Sequence, residues 1–176
     1  MKVTDKYVFF WKEHPFCNFT KCKIRFEYDK GVYNFTSSEQ MFMWFKATFF
    51  KDYETAELIL KAGEPEVARK LGRLVKNYDD NAWNEVRVDY MFRALTAKFL
   101  QNKDLRDKLC DEKYNDKQFV EAAYYDRIWG IGYNEDDALA NIPYWGRNEL
   151  GKLLNRVRNY CIANKEYIEH EGNHIG

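Results

Sequence analysis

The chain has 176 residues, of which 45% are hydrophobic and 18% aromatic, and it carries 28 basic and 28 acidic side chains. This composition predicts a single folded domain with a packed core and excludes an intrinsically disordered protein. The balanced charge argues against an extensive basic surface that binds long nucleic acid, although nucleic acid remains a candidate substrate.

Targeting and cysteine patterns indicate an intracellular protein. The apolar run at 7–11 is too short for a signal peptide, and no run of about 18 apolar residues is present that could span a membrane. The four cysteines and three histidines show no metal-ligand spacing. We therefore expect a cytoplasmic protein with free thiols, no cofactor, no metal and no membrane partner. The sequence leaves the oligomeric state open.

The first half of the chain predicts strands followed by helices. Residues 6–11 favour a buried strand, and the alternation at 23–28 with a turn at 29–31 predicts a hairpin with 32–35. Helices are expected at about 38–50, 53–62 and 65–76. Either Thr36 or Ser37 caps the first of these, and Glu39 or Gln40 closes the capping box.

The second half predicts a long helix at 80–102, a short helix at 103–111, a returning strand at 118–123 and a final amphipathic helix from about 150. Residues 124–146 are expected to be irregular. Helices outnumber strands and do not alternate with them, so the predicted class is α+β, a mostly helical single domain around a small antiparallel sheet. Residues 166–176 predict a flexible C-terminal tail.

Four blocks of the sequence resemble one family. They are Ser38-Glu39 with Lys46; Trp83 with Met91, Ala94-Leu95 and Lys98-Phe99; Val120-Glu121 with Asp126 and Trp129-Gly130-x-Gly132; and Gly146-x-Asn148-x-Leu150-Gly151 with Arg158. In this order they resemble the NADAR superfamily, which includes the YbiA-like N-glycosidases, and they place such a domain at 1–165. Two departures from the family's pattern, Cys17 for Ser and Gln40-Met41 for His-Tyr, could alter which base is accepted.

The resemblance implies hydrolysis of the C–N bond at C1′ of a ribose that is attached to an exocyclic amine. The implied substrate is either a ribosylamino-pyrimidine intermediate of riboflavin synthesis or an ADP-ribose adduct on guanine, free or within nucleic acid. The alternative is a catalytically silent module that binds ADP-ribose or NAD, and the intact acidic residues argue against it. A purely structural interaction domain fits the sequence least well.

Glu39 and Asp126 are the predicted catalytic acids. Cleavage of an N-glycoside builds positive charge on C1′ and O4′, which a carboxylate stabilises, and a carboxylate also accepts a proton from attacking water. The structural alternatives are a capping-box role for Glu39 and a local cap or salt bridge for Asp126. Trp129 is predicted to stack on the base. Gly130 and Gly132 are predicted to let the backbone approach the ligand closely or to present N–H groups to phosphate. Glu121 is predicted to orient the loop.

Lys46 and Lys98 are candidates for a covalent mechanism in which a desolvated lysine forms a Schiff base with the ribose. Lys98 shares one helix face with Arg87, Met91 and Ala94, and the competing interpretation of this face is a solvated cationic stripe. The other predicted substrate contacts are Arg87 as a phosphate clamp, Asn148 near the start of the last helix, Trp83 and Asn18.

Overall fold

The structure, a computed structural model, describes residues 1–12 and 14–172, with side chains described as far as residue 170. The chain divides into two compact units. Unit 1 comprises Met1–Cys17 and Lys103–Gly176, and unit 2 comprises Asn18–Asn102. No helix in the described part of the chain is both long enough and apolar enough to cross a membrane.

The strands and helices follow one another along the chain with the following bounds. They are β1 (Lys2–Val3), β2 (Tyr7–Phe10), β3 (Ile24–Tyr28), β4 (Gly31–Phe35), α1 (Ser38–Phe49), α2 (Tyr53–Lys61), α3 (Pro65–Gly72), α4 (Asp80–Gln101), α5 (Lys103–Leu109), β5 (Gln118–Glu121), α6 (Glu149–Ala163) and α7 (Lys165–Gly172), with short 3-10 turns at Glu112–Tyr114 and Leu139–Tyr144.

Unit 1 is built on a three-stranded sheet in the order β1-β2-β5. β1 is antiparallel to β2, whereas β2 is parallel to β5, with Tyr7 opposite Gln118 and Phe10 opposite Glu121. Helix α6 packs against β5. A Cβ atom at Gly151 would overlap the carbonyl oxygen of Phe119, so glycine permits this close approach of the helix to the strand. The helix-packing explanation of Gly151 is thereby confirmed.

Unit 2 contains the antiparallel hairpin β3–β4 and four helices, with Ile24 opposite Phe35 in the hairpin. Helix α1 packs against α2, α3 and α4. Its apolar side chains are buried almost all round, as expected of a helix that contacts neighbours on several sides. The largest of these buried side chains are Met41, Phe42, Met43, Trp44 and Phe45.

The α+β class is confirmed, but the structure does not contain the single antiparallel sheet that was predicted. There are two separate small sheets among the described residues, and one of them has mixed strand directions. Parallel strands require a long crossover connection, which the whole of unit 2 and its flanks provide between β2 and β5. The pairing partner of a strand so distant in sequence cannot be inferred from local alternation.

Three further features of the fold differ from the predictions. Helix α3 ends at Gly72 rather than near residue 76, and the Gly72 carbonyl accepts a hydrogen bond from Lys46 Nζ at 2.8 Å. The short strand β1 carries too few residues to show a period and was not predicted. A flexible tail was expected at 166–176, but its first part lies in helix α7. Residues 173–176 lie outside the described residues.

Candidate active site

The N-terminus of α1, in unit 2, is capped by residues other than Glu39. Ser37 is the N-cap, and its hydroxyl accepts the Gln40 N–H at 3.1 Å. The side-chain oxygen of Gln40 in turn accepts the Thr36 N–H at 2.7 Å. The capping-box interpretation of Glu39 is therefore wrong, since Ser37 and Gln40 do this work. Glu39 is only 7% exposed and lies in the first turn, where the helix dipole favours a negative charge.

Asn18 fixes the position of this first turn. Its backbone carbonyl accepts the Glu39 N–H at 3.1 Å, and the Ser38 hydroxyl donates to the same carbonyl at 3.2 Å and to Asn18 Oδ1 at 3.1 Å. Asn18 Nδ2 donates to Met91 Sδ, 3.1 Å away on α4. These contacts give buried Asn18 a positioning role, while its predicted contact with substrate stays a prediction.

Lys98 lies on the buried face of α4. Its side chain is 0% exposed, and Met91 and Ala94 on the same face are buried as well. The interpretation of this face as a solvated cationic stripe is therefore wrong for these three residues. Lys98 Nζ is 5.1 Å from the centroid of the Phe99 ring, within the range of a cation–π contact.

Lys46 lies in the last turn of α1 and is half-buried. Its Nζ donates to the Gly72 carbonyl and lies 4.3 Å from the centroid of the Tyr78 ring. Burial, followed by the nearby charge of Arg73, lowers the pKa of Lys46, while Asp80 acts in the opposite direction. A lowered pKa increases the fraction of neutral amine, which is the form that attacks a carbonyl or imine carbon.

Tyr78 is a neighbour of Lys46 that the sequence did not single out. Its hydroxyl donates to Asp80 at 2.7 Å. Burial first and then this hydrogen bond raise the pKa of Tyr78 to about 12, partly opposed by the charge of Arg87. Arg87 is thus placed near a charged cluster of unit 2, and its predicted role as a phosphate clamp stays a prediction.

Trp83 belongs to the aromatic core of unit 2. Its ring stacks on Tyr90 with centroids 5.7 Å apart and an interplanar angle of 16°, and Phe42 lies 5.4 Å away. The indole is almost entirely buried. Trp83 therefore has a packing role, and its predicted contact with substrate stays a prediction.

In unit 1, Asp126 caps the turn that carries Trp129. Asp126 Oδ1 accepts the N–H groups of Ile128 and Trp129, both at 2.8 Å. The local-cap alternative is thus observed. The cap also fixes the direction of the half-buried carboxylate, as a catalytic acid requires, so the two roles are compatible.

The glycines of this loop are required by its packing. A Cβ atom at Gly130 would lie 2.8 Å from the Glu121 carbonyl oxygen, and Gly132 has a φ of +76°. The Ile131 N–H donates to the Glu121 carbonyl at 3.0 Å, and the Gly132 N–H donates to the Ala123 carbonyl at 3.1 Å. The N–H of Gly132 is therefore committed to the loop rather than presented to a phosphate group.

Asn148 joins this loop to β5 and α6. It has a φ of 50°, in the left-handed region that asparagine tolerates better than most residues. Its Nδ2 donates to the Phe119 carbonyl at 2.9 Å and its Oδ1 accepts the Glu121 N–H at 3.0 Å. The Asn148 N–H donates to the Gly130 carbonyl at 3.2 Å. Asn148 thus brings together Glu121 and the glycine loop, and its expected hydrogen bond to ribose or phosphate stays a prediction.

An exposed aromatic surface lies in the same unit, formed by Trp11, Tyr124 and Tyr125. Tyr124 is 62% exposed and Tyr125 is 54% exposed. Trp11 lies 5.9 Å and 6.3 Å from their ring centroids, and Lys12 Nζ is 4.4 Å from the Trp11 ring. This surface was not predicted, although two consecutive aromatic residues outside any predicted element were a usable signal.

A metal site finds no support in the part of the chain that the structure describes. Over residues 1–12 and 14–172, no group of three or more His, Cys, Asp or Glu residues could hold a metal ion. The absence of a metal and of a cofactor stays a prediction.

Comparison with known proteins decides the family. The NADAR domain matches residues 9–161 of the chain. The chain belongs to the NADAR family. This NADAR protein is 34% identical over 167 residues to N-glycosidase R617 of Acanthamoeba polyphaga mimivirus, covering 88% of this chain and 96% of that one.

Two further NADAR comparisons bear on fold and substrate. The NMR structure of the E. coli protein YbiA superimposes with a TM-score of 0.70 at 27% identity, over 93% of this chain and 89% of that chain. Riboflavin biosynthesis protein VVA0006 of Vibrio vulnificus is 30% identical over 115 residues, which cover 65% of this chain and 28% of that protein. The fold class and the family resemblance are confirmed, and the chain is an enzyme of the N-glycosidase type.

Proposed function

We propose that the chain hydrolyses the N-glycosidic C–N bond between a ribose and an exocyclic amine. The observation that carries this proposal is the state of Glu39, a buried acid at the start of a helix whose capping is done by Ser37 and Gln40. Burying a carboxylate is costly, and such groups cluster at functional sites. The relative named N-glycosidase R617 supports the reaction type.

In the proposed mechanism the C–N bond breaks as positive charge develops on C1′ and O4′. The Glu39 carboxylate stabilises this charge. It stands on a helix turn whose position is fixed because the Asn18 carbonyl accepts the Glu39 backbone N–H and the Ser38 hydroxyl. Water adds to C1′ and loses its proton to a carboxylate, while the departing amine takes up a proton. Asp126 is proposed to share both duties, with its carboxylate oriented by the N–H groups of Ile128 and Trp129.

The substrate is proposed to be a ribosylamino-pyrimidine or an ADP-ribose adduct on a guanine base. The relative named as a riboflavin biosynthesis protein supports the first. Both substrates carry a planar base, and Trp129 and the exposed aromatic surface of unit 1 offer rings for stacking on it.

The test is incubation of the purified chain with each substrate, followed by mass detection of released ribose phosphate or ADP-ribose. Release from at least one substrate supports the proposal, and the faster reaction assigns the substrate class. Glu39→Gln should abolish release, whereas the matched control Glu57→Gln, on the exposed side of α2, should not. Tight binding of ADP-ribose with no release from either substrate would instead identify a silent binding module.

A further inference from the structure

The side chain of Gln40 connects two helices of unit 2 directly beside the proposed catalytic acid. Gln40 follows Glu39 in the first turn of α1 and is 1% exposed. Its Nε2 donates to the carbonyl oxygens of Ile59 at 2.9 Å and Ala62 at 2.8 Å. Its Oε1 accepts the Thr36 N–H at 2.7 Å. One buried amide therefore joins the N-terminal end of α1 to the C-terminal end of α2.

The partners of this amide fix its orientation and use all of its hydrogen-bonding capacity. A carbonyl only accepts and a backbone N–H only donates, so the amide nitrogen must face α2 and the amide oxygen must face Thr36. The Leu60 carbonyl lies 3.3 Å from Nε2, and the Thr36 hydroxyl lies 3.2 Å from Oε1. The Gln40 side chain therefore has no free donor or acceptor to offer to a substrate base.

The end of α2 is a place where such a donor is needed. The last carbonyl groups of a helix have no partner within the helix and carry a partial negative charge. Helix α2 ends at Lys61, with Ala62 as its C-cap. Ile59 and Ala62 are both buried, and a buried carbonyl without a donor is costly. The bonds from Gln40 therefore hold the first turn of α1 firmly against α2.

The turn that carries Glu39 is thus fastened on two sides, by the Asn18 carbonyl that accepts the Glu39 N–H at 3.1 Å and by the link from Gln40 to α2. We propose that Gln40 is a positioning residue of the N-glycosidase reaction and holds Glu39 in place through this link. The inference rests on the proposed function of Glu39. A small displacement of a catalytic group lowers the rate of the chemical step strongly, so the link should act on turnover.

The test shortens the link while keeping its chemistry. Gln40→Asn retains the amide but lacks one methylene group, so it cannot reach Thr36 and α2 at the same time. We expect kcat to fall by about 10-fold or more with KM nearly unchanged. Amide hydrogen exchange should become faster in peptides that cover residues 36–45, because the turn is held less firmly. Gln40→Met, which removes the donor and the acceptor at similar volume, should show a larger loss of kcat.

Gln101→Asn is the matched control. The Gln101 amide also bonds a backbone N–H and a carbonyl, both of Arg25, at 2.7 Å and 3.0 Å. It lies at the end of α4 rather than in the first turn of α1. Loss of either link should lower the melting temperature, so kcat is measured well below the melting temperature of each variant. Only the Gln40 variants should lose turnover.

Three results would each overturn the inference in an active chain. They are an unchanged kcat in Gln40→Asn, a raised KM with unchanged kcat, and an equal loss of kcat in Gln101→Asn. Unchanged hydrogen exchange at 36–45 would overturn the link itself, whether or not the chain is active. If Gln40→Met fails to fold, Gln40→Asn decides. A parent chain that cleaves neither substrate would overturn the proposed function and this inference together, whereas an active parent with normal Gln40 variants overturns the inference alone.

Discussion

At the scale of single residues, the charge of Glu39 can be removed without removing a helix cap. Because Ser37 and Gln40 make the capping hydrogen bonds, Glu39→Gln should leave the melting temperature unchanged. We expect kcat to fall by about 100-fold or more, since the amide cannot balance the charge that develops on the ribose. Steady-state kinetics and thermal unfolding of the same preparation check this. Near-normal turnover with a lower melting temperature would show that the residue serves only the fold.

Lys46 and Lys98 distinguish water attack from a covalent route. The lowered pKa of Lys46 makes a neutral amine accessible at that residue, and the side chain of Lys98 is fully buried. Borohydride added during turnover would reduce a Schiff base to a stable adduct. Under the proposed water attack we expect no adduct by intact mass. A sugar adduct that maps to one lysine and vanishes on its replacement by Arg would replace water attack with imine formation and leave the overall reaction as proposed.

The exposed aromatic surface should act on substrate binding rather than on chemistry. Replacing Tyr124 and Tyr125 by Ala removes ring area that is already exposed, so the fold should tolerate the change. We expect KM to rise by about 10-fold with kcat nearly unchanged, because a stacked base contributes about 1–3 kcal/mol. The equally exposed Tyr53→Ala in unit 2 is the control. An unchanged KM in the double variant would remove this surface from the binding site.

At the scale of elements, the helices and the hairpin were predictable because their signals are local. Ser37 and Gln40 mark the start of α1, Pro65 marks the start of α3, and the turn at 29–31 sets the β3–β4 register. The parallel pairing of β2 with β5 was not predictable, because neither strand carries information about a partner so distant in the chain.

The candidate site shows the same division between local and distant information. Family blocks identified Glu39 and Asp126, but the partners of Asn18 and Asn148 are backbone groups, a hydroxyl and a sulfur on other elements. An asparagine that binds a ligand and one that fixes a distant strand look identical in a sequence. Only the fold shows that both of these residues hold neighbouring elements in place.

Asp52 provides a stability test at this scale. Its carboxylate accepts the Thr55 N–H at 3.1 Å, as the cap of α2, and the Lys76 N–H at 2.8 Å. Asp52→Ala should lower the free energy of unfolding by about 2 kcal/mol at pH 7. Urea unfolding measures this, with Asp79→Ala, an exposed cap of α4, as the milder control.

The effect of Asp52 should depend on pH in a defined direction. The hydrogen bond from Lys76 N–H, followed by those of Thr55 and despite burial, lowers the pKa of Asp52 in the folded protein. Its contribution is therefore complete above the unfolded pKa of about 3.9 and is lost as the pH falls through the lower folded value. The difference between parent and variant should be constant from pH 5 to 8 and shrink in more acidic solution. A constant difference down to acidic pH would show that the carboxylate charge is irrelevant.

At the scale of the whole molecule, the family match and the candidate residues occupy the same part of the chain. The match at 9–161 includes every proposed catalytic residue and ends within α6. Helix α7 lies beyond it, and none of the described side chains at 165–170 is buried. Truncation after Asn164 should therefore change the free energy of unfolding by less than about 0.5 kcal/mol and leave turnover intact. A large loss of either quantity would assign α7 a role that its burial does not indicate.

The parallel pairing of β2 with β5 also has a consequence for biosynthesis. Phe10 and its partner Glu121 are 111 residues apart in the chain. At about 5–20 residues per second, a ribosome needs roughly 5 to 20 s to make the second strand after the first has been made. During that interval the apolar segment Val8-Phe9-Phe10 has no sheet partner on its β5 side, while the whole of unit 2 is completed in between. We therefore expect this segment to need shielding, for example by chaperones, until residue 121 emerges from the ribosome.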